Sequence, residues 1–215
     1  MMAMTDRPPL TRERIVVAAA EMVDADGVEA LSMRKLGAAL GVEAMSLYNH
    51  VANKDDVLDR ILDLVLAEIE LPDRNLPWDT QIRRLSLAFR TAGHAHPGVF
   101  PLFGSRSIRS VDGFAPLEQS YAALRGAGLG PEAALDGFTA LSSFVFGYVL
   151  TELGGLVDQA LSQRRDPEAD QAITDRPLLA EMGLVLAARD PERQFQVGLD
   201  LLLGGLRSMV DVVQV

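Results

Sequence analysis

Hydrophobic side chains recur every three or four residues along most of this chain, which is the period of an α-helix with one buried side. Ile15, Ala19 and Met22 follow this spacing, and Leu36 and Leu40 lie one turn apart in a second segment. We find no alternation of apolar and polar residues of the kind that marks a half-buried strand. The pattern therefore predicts an all-α fold of about nine or ten helices.

Residues that cap helices stand at the predicted ends of the N-terminal helices. Thr11, Ser32 and Asn53 precede helical segments, and their side-chain oxygens can accept hydrogen bonds from free backbone N–H groups of the first turn. Gly27 and Gly41 follow the first two helices, and glycine is the common residue where a helix stops. These signals predict helices that begin after residues 11, 32 and 53.

The stretch GVEAMSLYNHVANK, residues 41–54, is the most informative part of the sequence. On a helix over residues 44–51, Leu47 and Val51 fall on one side and the polar Asn49 and His50 on the other. A tight Gly-Val-Glu turn joins this helix to the preceding one. Two short helices joined in this way form a helix-turn-helix, whose second helix enters the major groove of DNA.

The outward side chains of the second helix suit contacts with DNA. Asn49 carries donors and an acceptor that match a base edge, and Tyr48 and His50 have polar tips that can reach phosphate oxygens. Lys54 supplies a point charge suited to phosphate, and Arg34 can reach the groove edge or a guanine. An ordinary polar surface helix of a helical bundle is the alternative interpretation of this pattern.

Composition and charge limit the classes of function. The chain has 215 residues and a formal net charge of −10, which argues against a protein that coats nucleic acid without sequence preference. There is no cysteine, so disulfides and thiolate metal sites are excluded. We recognise no secretory signal, and the uncharged run 137–151 is shorter than the ~20 residues that span a bilayer. We therefore expect a cytoplasmic protein without membrane contact and without a cofactor.

Residues 31–62 closely resemble the DNA-binding domain of the tetracycline-repressor (TetR) family, most specifically in the skeleton LG-V-x-x-x-x-LY-x-HV-x-NK at 40–54. The resemblance implies a repressor that binds a palindromic operator in double-stranded DNA as a homodimer and that a small-molecule inducer releases. It also implies an operator different from that of the tetracycline repressors, which carry other residues at positions 44, 45 and 49. The implied DNA contacts are Arg34, Ala44, Met45, Ser46, Tyr48, Asn49, His50 and Lys54.

These observations predict four regions. Residues 1–10 are expected to be a disordered arm, 11–56 a three-helix helix-turn-helix domain, 57–72 a connecting helix, and 73–215 a larger helical domain for ligand binding and dimerisation. An activator or a ligand-independent regulator of the same fold is an alternative function. A helical small-molecule-binding protein or an enzyme is a further alternative, although no catalytic constellation is recognisable.

Two helices of the C-terminal domain are apolar on most sides, which predicts burial against several neighbours. They span residues 131–157 and the segment FQVGLDLLLGGLRSMV. In the TetR family the eighth helix and the last helix form a four-helix interface with their symmetry mates; the alternative is that both serve only the core of one protomer. The predicted dimer contacts are Val145, Val149, Leu199, Leu202, Leu206 and Val210.

The same domain mixes aromatic and polar side chains in a way that suits a small-molecule site, and ordinary core packing is the alternative for each residue. His94 and His96 form an H-x-H pair without a third ligand nearby in sequence, so a polar helix terminus is favoured over a metal site. Residues 162–176 are polar without apolar periodicity and predict a mobile loop. The predicted ligand contacts are Phe89, His94, Phe100, Phe103, Tyr121, Phe138, Thr139 and Ser142.

Overall fold

The computed structural model describes residues 8–106, 108–109, 111–155 and 175–213. These ranges contain nine α-helices, two short 3₁₀ helices and no strand, which confirms the predicted all-α fold. The 3₁₀ helices span Val28–Ala30 and Phe100–Gly104. The α-helices are α1 Arg12–Asp26, α2 Met33–Leu40, α3 Ala44–Leu47, α4 Lys54–Ala67, α5 Trp78–Ala95, α6 Val111–Gly126, α7 Pro131–Leu153, α8 Pro177–Ala187 and α9 Pro191–Val213.

The predicted caps of the N-terminal helices are confirmed. The side chains of Thr11, Ser32 and Asn53 each accept a hydrogen bond from the backbone N–H three residues further on, at 3.3, 3.3 and 2.8 Å. Gly41 ends α2 in the left-handed conformation with φ 69°, which favours glycine because it has no Cβ. The caps therefore fix where α1, α2 and α4 begin, and Gly41 fixes where α2 ends.

The chain folds as two compact units. The first comprises residues 1–74 and 87–120, and the second residues 75–86 and 121–215. In the first unit α1 packs on α4, and the buried Ile15 and Val23 of α1 and Ile61 of α4 belong to its core. In the second unit α7 packs on α9, with Leu141 and Leu203 buried. The predicted division at residue 73 stays a prediction.

Helix α6 differs most from the sequence-based expectation. The segment APLEQSYAALRGAGLG, which starts at Ala115 and ends in glycines, predicts one helix, but α6 begins at Val111 and contains Pro116. Pro116 has no N–H to donate to the carbonyl one turn earlier, so the helix continues through it with one hydrogen bond fewer. Ser120 Oγ donates to the Pro116 carbonyl at 2.8 Å.

Three other expectations concern residues outside the described ranges. Residues 1–7 of the predicted arm lie outside the described ranges, and so do residues 162–174 of the predicted loop. Helix α7 ends at Leu153, before Gly154, whereas the sequence-based helix runs to 157.

By length and composition α7 could cross a membrane, a test that the core helix of a soluble protein also passes.

Candidate functional site

The turn between α2 and α3 depends on a glycine inside α2. A Cβ atom on Gly37 would lie 2.9 Å from the carbonyl oxygen of Val42 and 3.1 Å from the backbone nitrogen of Ala44. The backbone N–H of Val42 donates to the Gly37 carbonyl at 2.9 Å. The absence of a side chain at this position therefore lets α2 approach the start of α3, which sets the helix-turn-helix geometry.

Helix α3 has one α-helical turn, Ala44–Leu47, followed by a hydrogen-bonded turn over residues 48–50. Backbone N–H groups at 48, 49 and 50 donate to the carbonyls three residues earlier, at 3.3, 3.4 and 2.9 Å. The predicted helix over 44–51 is thus shorter as an α-helix, although the winding continues. Leu47 and Val51 are buried and anchor the segment in the core of the first unit.

Several of the predicted DNA contacts are exposed, unlike the buried Leu47 and Val51 of the same segment. Met45 is 74% exposed, Tyr48 is 45% exposed, and Asn49 is exposed as well. Arg34 on α2 is also exposed. We call Met45, Tyr48 and Asn49 the α3 surface. The half-buried members of the predicted set are Ala44, Ser46, His50 and Lys54.

Two basic side chains make long-range contacts near the C-terminal end of the α3 segment. Lys54 Nζ donates to the Val28 carbonyl at 3.2 Å, so this residue also joins α4 to the first 3₁₀ helix. Arg12 Nε donates to the His50 carbonyl at 3.0 Å. The role of Arg12 was not predicted, because its partner lies 38 residues away and local periodicity carries no sign of that contact.

His96 connects three parts of the first unit. Its Nδ1 lies 2.8 Å from a carboxylate oxygen of Asp24 on α1, and its Nε2 lies 2.9 Å from Glu68 at the end of α4. The other oxygen of Asp24 accepts from the backbone N–H groups of Gly98 and Val99, at 3.0 and 3.2 Å. With both ring nitrogens engaged, His96 serves as an ion-pair partner, which favours the predicted polar helix terminus over a metal site.

The pKa of His96 follows from this environment. Burial of the ring alone would lower its pKa, but the hydrogen bonds to Asp24 and Glu68 outweigh burial and raise the pKa above 6.5. Carboxylates only accept hydrogen bonds, so the ring donates from both nitrogens when protonated. In the part of the chain that the structure describes, no group of three or more His, Asp or Glu residues could hold a metal ion.

Arginines after the second 3₁₀ helix bind the acidic face of α4. Arg106 Nη1 donates to Asp59 at 2.9 Å, and Arg106 Nη2 donates to Asp55 at 2.6 Å. Arg109 Nη1 donates to the second oxygen of Asp59 at 2.9 Å. Partial burial would raise the pKa of Asp59, but the hydrogen bonds from Arg109 and Arg106 outweigh it and hold that pKa below 3.8.

The predicted ligand contacts fall into two groups, one in each unit. Phe89, Phe100 and Phe103 form a ring cluster in the first unit, with centroids 5.2, 5.3 and 5.7 Å apart. In the second unit the rings of Tyr121 and Phe138 lie 4.8 Å apart. These contacts are compatible with a small-molecule site and with core packing alike.

The polar members of the predicted ligand set are placed differently. Thr139 is exposed, and its hydroxyl donates to the Leu135 carbonyl of its own helix at 2.8 Å. The Ser142 hydroxyl donates to the Thr139 carbonyl at 3.2 Å. His94 is exposed at the end of α5. A ligand that used either hydroxyl as a donor would have to replace a hydrogen bond within α7.

The predicted dimer contacts are mostly buried in a single chain. Val145, Val149, Leu199, Leu206 and Val210 are buried, and Leu202 is half-buried. A second set of residues on the same two helices is exposed instead, and it was not predicted. This set comprises Leu135, Thr139, Ser143 and Gly147 on α7 and Val197, Leu201, Gly205 and Met209 on α9.

Each exposed set forms a row of residues four apart, which is a ridge along one side of a helix. We call the two rows the α7 ridge and the α9 ridge. Leu201 is 73% exposed and Val197 49% exposed. Cβ atoms added at Gly147 or Gly205 would meet no atom within 4 Å, so both glycines leave open space on the surface.

Two family profiles match this chain. One is described as bacterial regulatory proteins, tetR family, and matches residues 15–61. The other is described as tetracyclin repressor-like, C-terminal domain, and matches residues 71–210. The two matches cover the helix-turn-helix and most of the helices that follow it.

Individual proteins agree with the profiles. A HTH-type transcriptional regulator of Saccharopolyspora erythraea is 42% identical over 147 residues, which are 68% of this chain and 62% of that protein. Tetracycline repressor protein class E of Escherichia coli is 30% identical over 209 residues, 94% of this chain and 93% of the repressor. Apo ActR from Streptomyces coelicolor matches with a TM-score of 0.79 at 31% identity, over 98% of this chain and 99% of ActR.

ActR has also been solved in complex with actinorhodin, and that structure matches with a TM-score of 0.78 at 31% identity, over 94% of this chain and 97% of ActR. The matched families and relatives are transcriptional regulators and not enzymes. The helix-turn-helix, the C-terminal helices and these matches agree, and the chain therefore belongs to the TetR family of bacterial transcriptional regulators.

Proposed function

We propose that this regulator is a homodimeric repressor that binds a palindromic operator through the α3 surface and leaves the DNA when a small molecule binds its C-terminal helices. The observation that carries the proposal is the division of α3 into two sides. Leu47 and Val51 are buried, while Met45, Tyr48 and Asn49, for which the sequence resemblance implies DNA contacts, are exposed. As a DNA-binding bacterial regulator, the protein would work in the cytoplasm.

The proposed dimer joins two copies through the α7 and α9 ridges. Ridges of residues four apart on both helices suit the packing in which such rows interdigitate. The small side chains at 143, 147 and 205 let helix backbones approach closely, and Leu201 and Val197 supply apolar area that lies open in one chain. The predicted contacts at 145, 149, 199, 206 and 210 would then support the ridges from the core.

A dimer is required for the geometry of operator binding. Two recognition helices read half-sites about 34 Å apart, or a multiple of that distance, and the dimer fixes their separation. A ligand lowers operator affinity only to the extent that it binds the DNA-incompetent form more tightly. The proposed ligand site includes the Phe89, Phe100 and Phe103 cluster. The complex of ActR with actinorhodin supports a small-molecule ligand for this chain as well.

Binding to the promoter DNA upstream of the protein's own gene tests the proposal directly. A gel shift should show one complex that contains two protein chains, and a scrambled duplex of the same length is the control. Actinorhodin and tetracycline are the first compounds to add to the complex. The absence of any sequence preference at low salt would contradict DNA recognition, and increased transcription from the bound promoter would identify the alternative, an activator.

A further inference from the structure

Met45 presents a large apolar side chain on the α3 surface, outside the buried core of the first unit. Methionine is among the residues most often buried, yet this side chain is 74% exposed. It stands beside Tyr48, whose backbone N–H donates to the Met45 carbonyl at 3.3 Å, and one turn before Asn49. An exposed apolar side chain, Met45, therefore lies close to the exposed polar side chains of Tyr48 and Asn49.

The major groove of DNA offers one apolar group to such a side chain, the 5-methyl group of thymine. We infer that Met45 is a specificity-determining residue that packs on the 5-methyl group of a thymine in each operator half-site. This inference rests on the proposed function. The unbranched thioether side chain adapts to irregular surfaces, and its exposure leaves it free to do so without a change in the core.

The neighbouring residues favour the same bases. Asparagine reads adenine through two hydrogen bonds, whereas guanine is read mainly by arginine or lysine. The segment EAMSLYNH, residues 43–50, contains neither arginine nor lysine. The base pairs that Met45 and Asn49 contact should therefore be A·T pairs, and Arg34, which is exposed on α2, is a candidate for reading a guanine elsewhere in the half-site.

The test begins with selection of bound duplexes from a random pool by the full-length protein. Each thymine of the selected half-site is then replaced singly by uracil, which removes only the 5-methyl group. Affinities are measured by fluorescence anisotropy for the wild type, Met45→Leu and Met45→Gln. Both variants alter an exposed side chain, so circular dichroism should show unchanged folding, and Met45→Leu is the matched apolar control.

We expect uracil at one thymine to weaken wild-type binding about fourfold, the value for one buried methyl group. Met45→Leu should keep most of this sensitivity, and Met45→Gln should lose it while binding the thymine duplex about as weakly as the wild type binds the uracil duplex. Sensitivity to uracil that is equal in the wild type and Met45→Gln at every position would overturn the inference and leave the proposed function intact. Failure to enrich any sequence would overturn the proposed function itself.

Discussion

The imidazole Nδ1 of His96 lies 2.8 Å from the carboxylate of Asp24, and this contact joins the segment after α5 to α1. The opposite ring nitrogen contacts Glu68 at the end of α4. A single side chain thus holds together helices on both sides of the helix-turn-helix. Its contribution depends on its proton, because the neutral ring cannot donate to both carboxylates.

We expect the stability contributed by His96 to depend on pH. Its pKa is higher in the folded than in the unfolded state, so the contribution is complete below the unfolded value of about 6.5 and is lost as pH rises through the folded value. Urea unfolding should therefore show His96→Gln less stable than the wild type at about pH 5.5, with a smaller difference at about pH 9. His94→Gln, at an exposed histidine of the same segment, is the control, and a His96→Gln deficit that is constant with pH would contradict the prediction.

The cluster around Asp59 should couple α4 to the segment after the second 3₁₀ helix. A double-mutant cycle with Asp59→Asn and Arg106→Gln should give a coupling energy of about 1 kcal/mol in urea unfolding, since Arg106 is only partly exposed and binds two carboxylates. The control is the Arg60–Asp56 pair within α4, where one turn separates the partners and about 0.3–0.5 kcal/mol is typical. Equal coupling in the two cycles would argue against a special role for Asp59.

Asn49 and Lys54 should affect operator binding in different ways. Asn49→Ala should cost about 1–3 kcal/mol on the selected operator and relax base preference at one position, because asparagine reads a base edge. Lys54→Ala should weaken binding to all sequences and reduce the salt slope by about 1. Lys54 also donates to the Val28 carbonyl, so thermal unfolding should accompany the assay to separate lost charge from lost support. Unchanged base preference in Asn49→Ala would contradict base reading by this residue.

The dimer should depend on exposed rather than buried leucines. Leu201→Glu places a charge on the α9 ridge and should give folded monomers in sedimentation velocity, with at least a tenfold loss of operator affinity. Leu199→Ala, two residues earlier and fully buried, should instead lower the free energy of unfolding by about 2–5 kcal/mol through a core cavity. A Leu201→Glu variant that remains dimeric would place the interface elsewhere.

Local signals in the sequence were sufficient to predict where α1, α2 and α4 begin. Thr11, Ser32 and Asn53 cap the helices as predicted, because a cap acts within three residues of itself. The two sides of α3 likewise follow from helical periodicity, since Leu47 is buried and Asn49 exposed. Short-range physical chemistry therefore carries most of the information on this part of the fold.

Long-range contacts could not be predicted in the same way. Arg106 and Asp59 are 47 residues apart, and His96 and Asp24 are 72 residues apart, so no local pattern relates them. In α9 apolar residues occupy most sides of the helix, and periodicity alone does not distinguish Leu199, which is buried, from Leu201, which is exposed. Pro116 shows a further limit of sequence-based prediction. The helix α6 continues through this residue although proline removes one backbone hydrogen bond.

The division of α3 has a consequence for how such regulators diverge. Leu47 and Val51 secure the segment, whereas Met45, Tyr48 and Asn49 are exposed. Substitutions at exposed positions usually change the free energy of unfolding by less than about 0.5 kcal/mol. Under the proposed function these three residues read the operator, so a gene duplicate could acquire a new set of target promoters through three codons, without any compensating change in the interior that keeps the protein folded.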